Sequence, residues 1–117
     1  MGSEMCIRDR SMAYPLTALG SALTKRGRPS DGEEYLREAL EIRYRVMNKS
    51  FWRVAETEGA LGECLTAQKD WAAAVPLLQN SYEKIKLSHS ADNSRTVSAK
   101  QRIVEVNRIL NNAIRVD

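Results

Sequence analysis

Few side chains in this 117-residue chain have the type and spacing that catalysis or metal binding needs. His89 is the only histidine, and it stands in the polar stretch Ser88-His89-Ser90-Ala91-Asp92-Asn93-Ser94. No second His or Cys lies nearby to complete a metal site. No nucleophile or orienting carboxylate can be assigned to it as a catalytic base. Cys6 and Cys64 are too few for a disulfide framework. Cys64 falls inside an apolar helical pattern, where a thiol packs as a small hydrophobe. Cys6 lies in a polar N-terminal stretch. No secretory apolar segment stands near the start, so the cytoplasm is the expected compartment and a Cys6–Cys64 bridge is not expected. Glu33, Glu34, Glu38 and Glu41 could supply paired carboxylates. Arg37 and Arg45 stand beside them at helical spacing, which makes surface ion pairs the better account. No Gly-rich phosphate loop, kinase lysine, catalytic-loop motif or nucleophile–base pair is visible. The expectation is a protein that is not an enzyme and uses no cofactor and no metal.

Composition agrees with an ordinary globular domain. The apolar fraction is 43% and the charged fraction 28%, which excludes a wholly disordered or collagen-like chain. No run of about 18 apolar residues occurs, so no membrane-spanning helix is expected. The net charge of +3 is distributed unevenly: residues 1–30 and 95–117 each carry five basic and two acidic side chains, and the middle is acidic. A nucleic-acid footprint needs a denser basic patch with interleaved aromatics. None of the seven aromatics lies among Arg95, Lys100, Arg102, Arg108 and Arg115, so solvated helix faces explain the basic ends better and no nucleic acid is expected.

The elements that position these residues read as helices throughout. Residues 1–12 show no periodicity and are set apart as a disordered or artefactual tail; Met5-Cys6-Ile7-Arg8-Asp9-Arg10 is similar to a translated adapter peptide. Residues 13–117 form the folded domain. Leu16, Leu19 and Leu23 are spaced as an amphipathic helix over about 13–26. Gly27-Arg28-Pro29 breaks it, and Ser30-Asp31-Gly32-Glu33 reads as a capping box. A second helix over about 30–47 carries Tyr35, Leu36, Ala39, Leu40, Tyr44 and Met47 on one stripe. Asn48-Lys49-Ser50 ends it, with Ser50 as the next cap. A third helix, about 51–68, has Val54, Ala55, Leu61 and Leu65. After Lys69 and the N-cap Asp70, a fourth over about 71–87 has Ala74, Val75, Leu78, Tyr82 and Ile85, with a local distortion expected at Pro76. A fifth, about 95–113, carries Val97, Ile103, Val104, Val106, Ile109 and Leu110. No stretch alternates long enough for a strand.

The chain repeats itself. Ala18-Leu19-Gly20-Ser21-Ala22-Leu23-Thr24 recurs as Ala60-Leu61-Gly62-Glu63-Cys64-Leu65-Thr66, identical at five of seven positions at an offset of 42. The same offset carries Leu36 to Leu78, the loop at Gly27-Arg28 to Lys69-Asp70, and Arg53-Val54 to Arg95-Thr96. One helical hairpin is therefore repeated, and the fifth helix begins a third copy. Gly20 and Gly62 stand where two helices cross closely, with Gly32 and Ala74 as their small partners on the second helix. A helical glycine costs about 1 kcal/mol against alanine, so its recurrence points to tight packing.

These residues resemble the tetratricopeptide repeat. Leu19-Gly20, Leu23, Gly27, Gly32, Leu36 and Ala39-Leu40 follow its pattern in the first copy. Leu61-Gly62, Leu65, Asp70-Trp71, Ala74, Leu78 and Ser81-Tyr82 follow it in the second. The lengthened 42-residue period is similar to that of kinesin light chains and of arrays C-terminal to bacterial serine/threonine protein kinase domains. The resemblance implies an all-α, right-handed solenoid of helical hairpins, about five helices in two and a half repeats. Val104 departs from it, standing where glycine is expected, and after Asn107 no further turn and helix follow.

The resemblance also implies a concave face, lined by first helices, that holds a protein or peptide. Its positions here are Thr17, Ser21, Thr24 and Lys25, then Gly59, Glu63, Thr66 and Ala67, then Gln101, Glu105 and Arg108. Arg102 matches one member of the family's carboxylate clamp, but the Lys and Asn partners are missing. Ala18 and Ala60 stand where kinesin-light-chain repeats place a backbone-binding Asn. The expected function is a non-catalytic protein–protein interaction module, a piece of a larger bacterial protein, with self-association through the unfinished third repeat. The alternative is a spacer that positions a neighbouring domain such as a protein kinase.

Overall fold

A computed structural model describes residues 12–46 and 51–115. Its described residues form five helices and no strand: α1 (Ala13–Lys25), α2 (Pro29–Val46), α3 (Trp52–Ala67), α4 (Trp71–Ser88) and α5 (Ser94–Arg115). The expected all-α array of helical hairpins is the observed fold. Residues 1–11 of the proposed 1–12 tail, Cys6 among them, lie outside the described residues, as do Met47 and the Asn48-Lys49-Ser50 break. None of the described helices is long and apolar enough to cross a membrane.

Each helix packs mainly on its chain neighbour, and α3 also touches α1 and α5. The first helices, α1, α3 and α5, thus make one layer, with α2 and α4 outside it. The extents of 55 × 32 × 21 Å are those of a short stack rather than a sphere. The main core joins the two hairpins: Leu36 and Leu40 of α2 pack with Val54, Leu61, Cys64 and Leu65 of α3 and Ala74 of α4.

Both glycines expected at close crossings do stand at them. A Cβ on Gly20 would collide with Leu36 Cγ and lie 2.9 Å from the Gly32 carbonyl oxygen. A Cβ on Gly62 would meet Leu78 Cδ2 at 2.7 Å, with the Ala74 oxygen further off at 3.4 Å. The two hairpin turns also repeat in detail. Arg28 N–H bonds to Leu23 O (2.8 Å) and Gly27 N–H to Thr24 O (3.1 Å); Asp70 N–H bonds to Leu65 O (2.9 Å) and Lys69 N–H to Thr66 O (2.9 Å). Both are Schellman closures, which need a left-handed residue after the helix. Gly27 supplies it at φ 82°, and Lys69 adopts it at φ 66° without glycine's freedom.

Several local expectations are corrected. Ser30 does not cap α2, which already begins at Pro29, with Gly32 N–H bonded to Arg28 O (3.1 Å). Asp70 precedes α4, but its side chain makes no cap bond. Asn93, read as loop, caps α5: its Oδ1 accepts the Arg95 N–H at 2.9 Å. Leu19 is not core. It is 43% exposed, whereas its counterpart Leu61 is 1% exposed, because α2 covers α3 and no described helix covers α1 in the same way. Val97, Val104, Tyr35 and Tyr44 are likewise exposed, where the apolar stripes would place them inside. Helix α4 runs unbroken through Pro76.

Candidate partner-binding groove

The inner layer places polar side chains at helical spacing along one face. Between α1, α3 and α5 this face sinks into two recesses. One, of about 320 Å³, brings together Lys25, Glu63, Thr66, Gln101 and Glu105 with Ser98 and Arg102. The other, of about 260 Å³, contains Thr17 and Ser21 with Tyr14, Arg43, Arg53, Glu56, Arg95 and Arg102. Seven of the residues expected in the groove therefore line these two recesses.

The others stand elsewhere. Thr24 is half-buried at the α1–α2 crossing, its hydroxyl donating to Gly20 O at 2.9 Å. Thr66 repeats that bond to Gly62 O at 2.8 Å, so neither hydroxyl proton is free for a ligand. Gly59 is buried; a Cβ there would lie 2.6 Å from Arg102 Nη1 and 2.7 Å from Ser81 Oγ. Its contribution is to admit Arg102, not to touch a partner. Ala67 is exposed at the end of α3 and lines neither recess. Arg108 is exposed and outside both, bonded to Glu105 on its own helix through Nη2 at 2.6 Å. That bond holds the Glu105 carboxyl below its ordinary range.

The recess at the α1 end is organised by a chain of hydrogen bonds. Thr17 Oγ donates to Ala13 O (2.7 Å). With that proton used, Thr57 donates to Thr17 across 3.2 Å. Thr57 in turn accepts from Arg43 Nη1 (3.0 Å), which also bonds to Arg53 O (2.7 Å). Arg43 comes from the second layer and is only 4% exposed. Burial holds its guanidinium below the ordinary arginine range, Glu56 opposes that shift and Arg53 adds to it. Its Nε–H has no hydrogen-bond partner among the described residues.

Trp52 anchors two more of these arginines. The guanidinium carbons of Arg53 and Arg95 each lie 4.6 Å from its ring centroid, and His89 meets it edge-on at 5.1 Å. Arg95 Nε also reaches Glu56 at 2.9 Å, and Arg102 Nε stands 3.5 Å from Glu63. In the sequence Arg53 and Arg95 are related only by the offset of 42, which assigns them no role. Arg43 gives no signal there at all, since an arginine on a helix reads as surface.

On the far side of α3 a polar knot ties three helices. Glu58, 2% exposed, accepts from Tyr44 OH (2.6 Å) of α2 and Lys84 Nζ (3.0 Å) of α4. Burial and the neighbouring carboxylate push the Tyr44 phenol pKa well up. Cys64 is buried as expected, its thiol donating to Pro29 O at 2.9 Å, and burial raises its pKa. Among the described residues no cluster of His, Cys, Asp and Glu has the makings of a metal site.

No curated protein matches the chain. A family model described as tetratricopeptide repeat matches residues 16–51, the stretch that holds most of α1 and all of α2. With five stacked helices and a groove along the first-helix layer, that match supports a tetratricopeptide repeat protein, a family whose members are generally non-catalytic interaction modules.

Proposed function

We propose that the chain is a protein-interaction module that holds a protein or peptide segment along the α1–α3–α5 face. The observation that carries this reading is the convergence of polar and charged side chains from three helices on two open recesses. The residues beneath them are locked: Gly59 makes room for Arg102, and Thr17, Thr57 and Arg43 form one hydrogen-bonded chain. A fixed floor limits what ordering costs when a partner docks. Pull-down with wild-type chain should recover a defined partner, and Glu63→Ala combined with Gln101→Ala should lower its recovery. Recovery unchanged by the double substitution would count against the groove.

Self-association is the second part of the reading. At the other end of the stack, α4 and α5 frame an open recess of about 790 Å³ in which Val97 and Val104 stand exposed beside Tyr82. Lys86 and Lys100 flank it. The exposed edge of the first hairpin carries Leu19, Leu23 and Tyr35 with Asp31, Glu34 and Glu38. Glu105 also lines the first recess and Arg28 the second, so one border is basic and the other acidic only on balance; apolar centres with such borders suit a head-to-tail contact between two copies. Light scattering should show a mass that grows with concentration and falls with salt; a monomer throughout would exclude it.

A further inference from the structure

The recess at the α1 end holds an excess of positive charge that the groove reading does not explain. Arg43, Arg53, Arg95 and Arg102 line it, and Glu56 is the one carboxylate among its described lining residues. Glu56 pairs with Arg95 and Glu63 reaches Arg102, which leaves Arg43 and Arg53 without a carboxylate among the described residues; such an excess is unfavourable without a counter-charge. Two features keep it in place. Trp52 holds the Arg53 and Arg95 guanidinium groups at 4.6 Å on its ring. Arg43 is fixed by Arg53 O and Thr57 while its buried Nε–H has no acceptor among the described residues. A buried guanidinium donor with no partner is costly.

We propose that this recess binds a phosphorylated side chain of a partner protein. Arginine forks match phosphate oxygens in pairs. An excess of two arginines over carboxylates suits a group of about −1.5 to −2 charge better than a single carboxylate. The volume of about 260 Å³ admits such a group with the side chain that carries it. Ser21 lines the α1 wall beside it. The proposal rests on the reading of the inner face as a partner surface, and adds the chemistry it selects.

The test uses the full chain with Trp71→Phe, which leaves Trp52 as the single tryptophan. Trp52 emission and the Arg43 Nε–H resonance are followed during titration with inorganic phosphate and with capped phosphoserine. Capped glutamate and sodium chloride at equal ionic strength are the controls. Saturable changes with both phosphate probes are expected, with capped glutamate binding about tenfold more weakly or worse. Arg95→Gln and Arg102→Gln, both at partly exposed positions, should each weaken phosphoserine binding about tenfold while the far-UV spectrum stays unchanged. Four results would overturn the proposal: no saturable response, a response equal to that of chloride, equal affinity for glutamate, or affinity unaltered by both substitutions. Binding of free phosphate without capped phosphoserine would also overturn it, since a side-chain ligand could not then be accommodated. The titration needs no protein partner, so its failure leaves the pull-down result standing.

Discussion

The first two hairpins and α5 start from the same pattern and end differently. In α1 and α3 a glycine lies under a leucine of the following helix, Gly20 under Leu36 and Gly62 under Leu78. In α5 the corresponding residue is Val104, and it is 57% exposed. The two glycine crossings also differ from each other. The carbonyl of Gly32 lies 2.9 Å from where a Gly20 Cβ would sit, against 3.4 Å for Ala74 and Gly62. The extra methyl group of Ala74 goes with a slightly wider crossing. Residue identity at this point therefore follows the distance of the helix above it, and where no described helix lies above, a β-branched side chain is tolerated.

Substitutions at these positions test the contrast. The largest effect is expected for Gly20→Val, which drives a side chain into Leu36 and the Gly32 backbone; overpacking of this kind costs about 3 kcal/mol. Val104→Gly should cost only about 0.5 kcal/mol, the helix-propensity difference between the two residues, because Val104 is mostly exposed. Urea denaturation of both variants gives the comparison. Equal losses would mean that the crossings are not what selects glycine.

The next effect concerns what joins the hairpins. Glu58→Ala removes the acceptor shared by Tyr44 and Lys84. Lys84 is partly exposed, so the loss should fall below the ~3–5 kcal/mol of a fully buried pair. Tyr44 adds a pH signature. Its folded pKa is raised above the unfolded value of about 10, so its contribution is complete below that pH and is lost progressively as pH rises from there toward the higher folded value. Tyr44→Phe should therefore flatten the fall in melting temperature above about pH 10. An unchanged alkaline limb would remove the phenol from the account.

The smallest effect compares the two turns. Lys69 holds a left-handed conformation that Gly27 adopts freely. Lys69→Gly should stabilise the chain by up to about 1 kcal/mol, while Gly27→Lys should destabilise it by a similar amount. Thermal melts of the pair would show opposite shifts; shifts of the same sign would contradict the equivalence of the turns.

Periodicity and the 42-residue offset make the helices, their pairing and the glycine crossings legible in the sequence. What stays hidden there depends on neighbours in space. Leu19 and Leu61 are identical in sequence context, yet only Leu61 has a helix across from it. Ser30 and Asp70 are good cap residues by type, but the backbone starts one helix ahead of the first and closes the turn before the second without its side chain. Arg43 and Glu58 are charged residues on helices and read as solvated, although the fold buries both. In the groove, residue type at first-helix spacing marks Lys25, Glu63 and Gln101. The arginine cluster escapes such a reading because its members come from three helices, one of them in the outer layer.

The measurement that bears most directly on the groove is site-specific photo-crosslinking in cell extract. A photoreactive residue placed at Ser21 or Gln101, both lining the inner face, should trap the same discrete protein. The same residue at Gln79, exposed on α4 and outside both recesses, should trap none. Crosslinking from Gln79 alone, or equally from all three positions, would contradict the account.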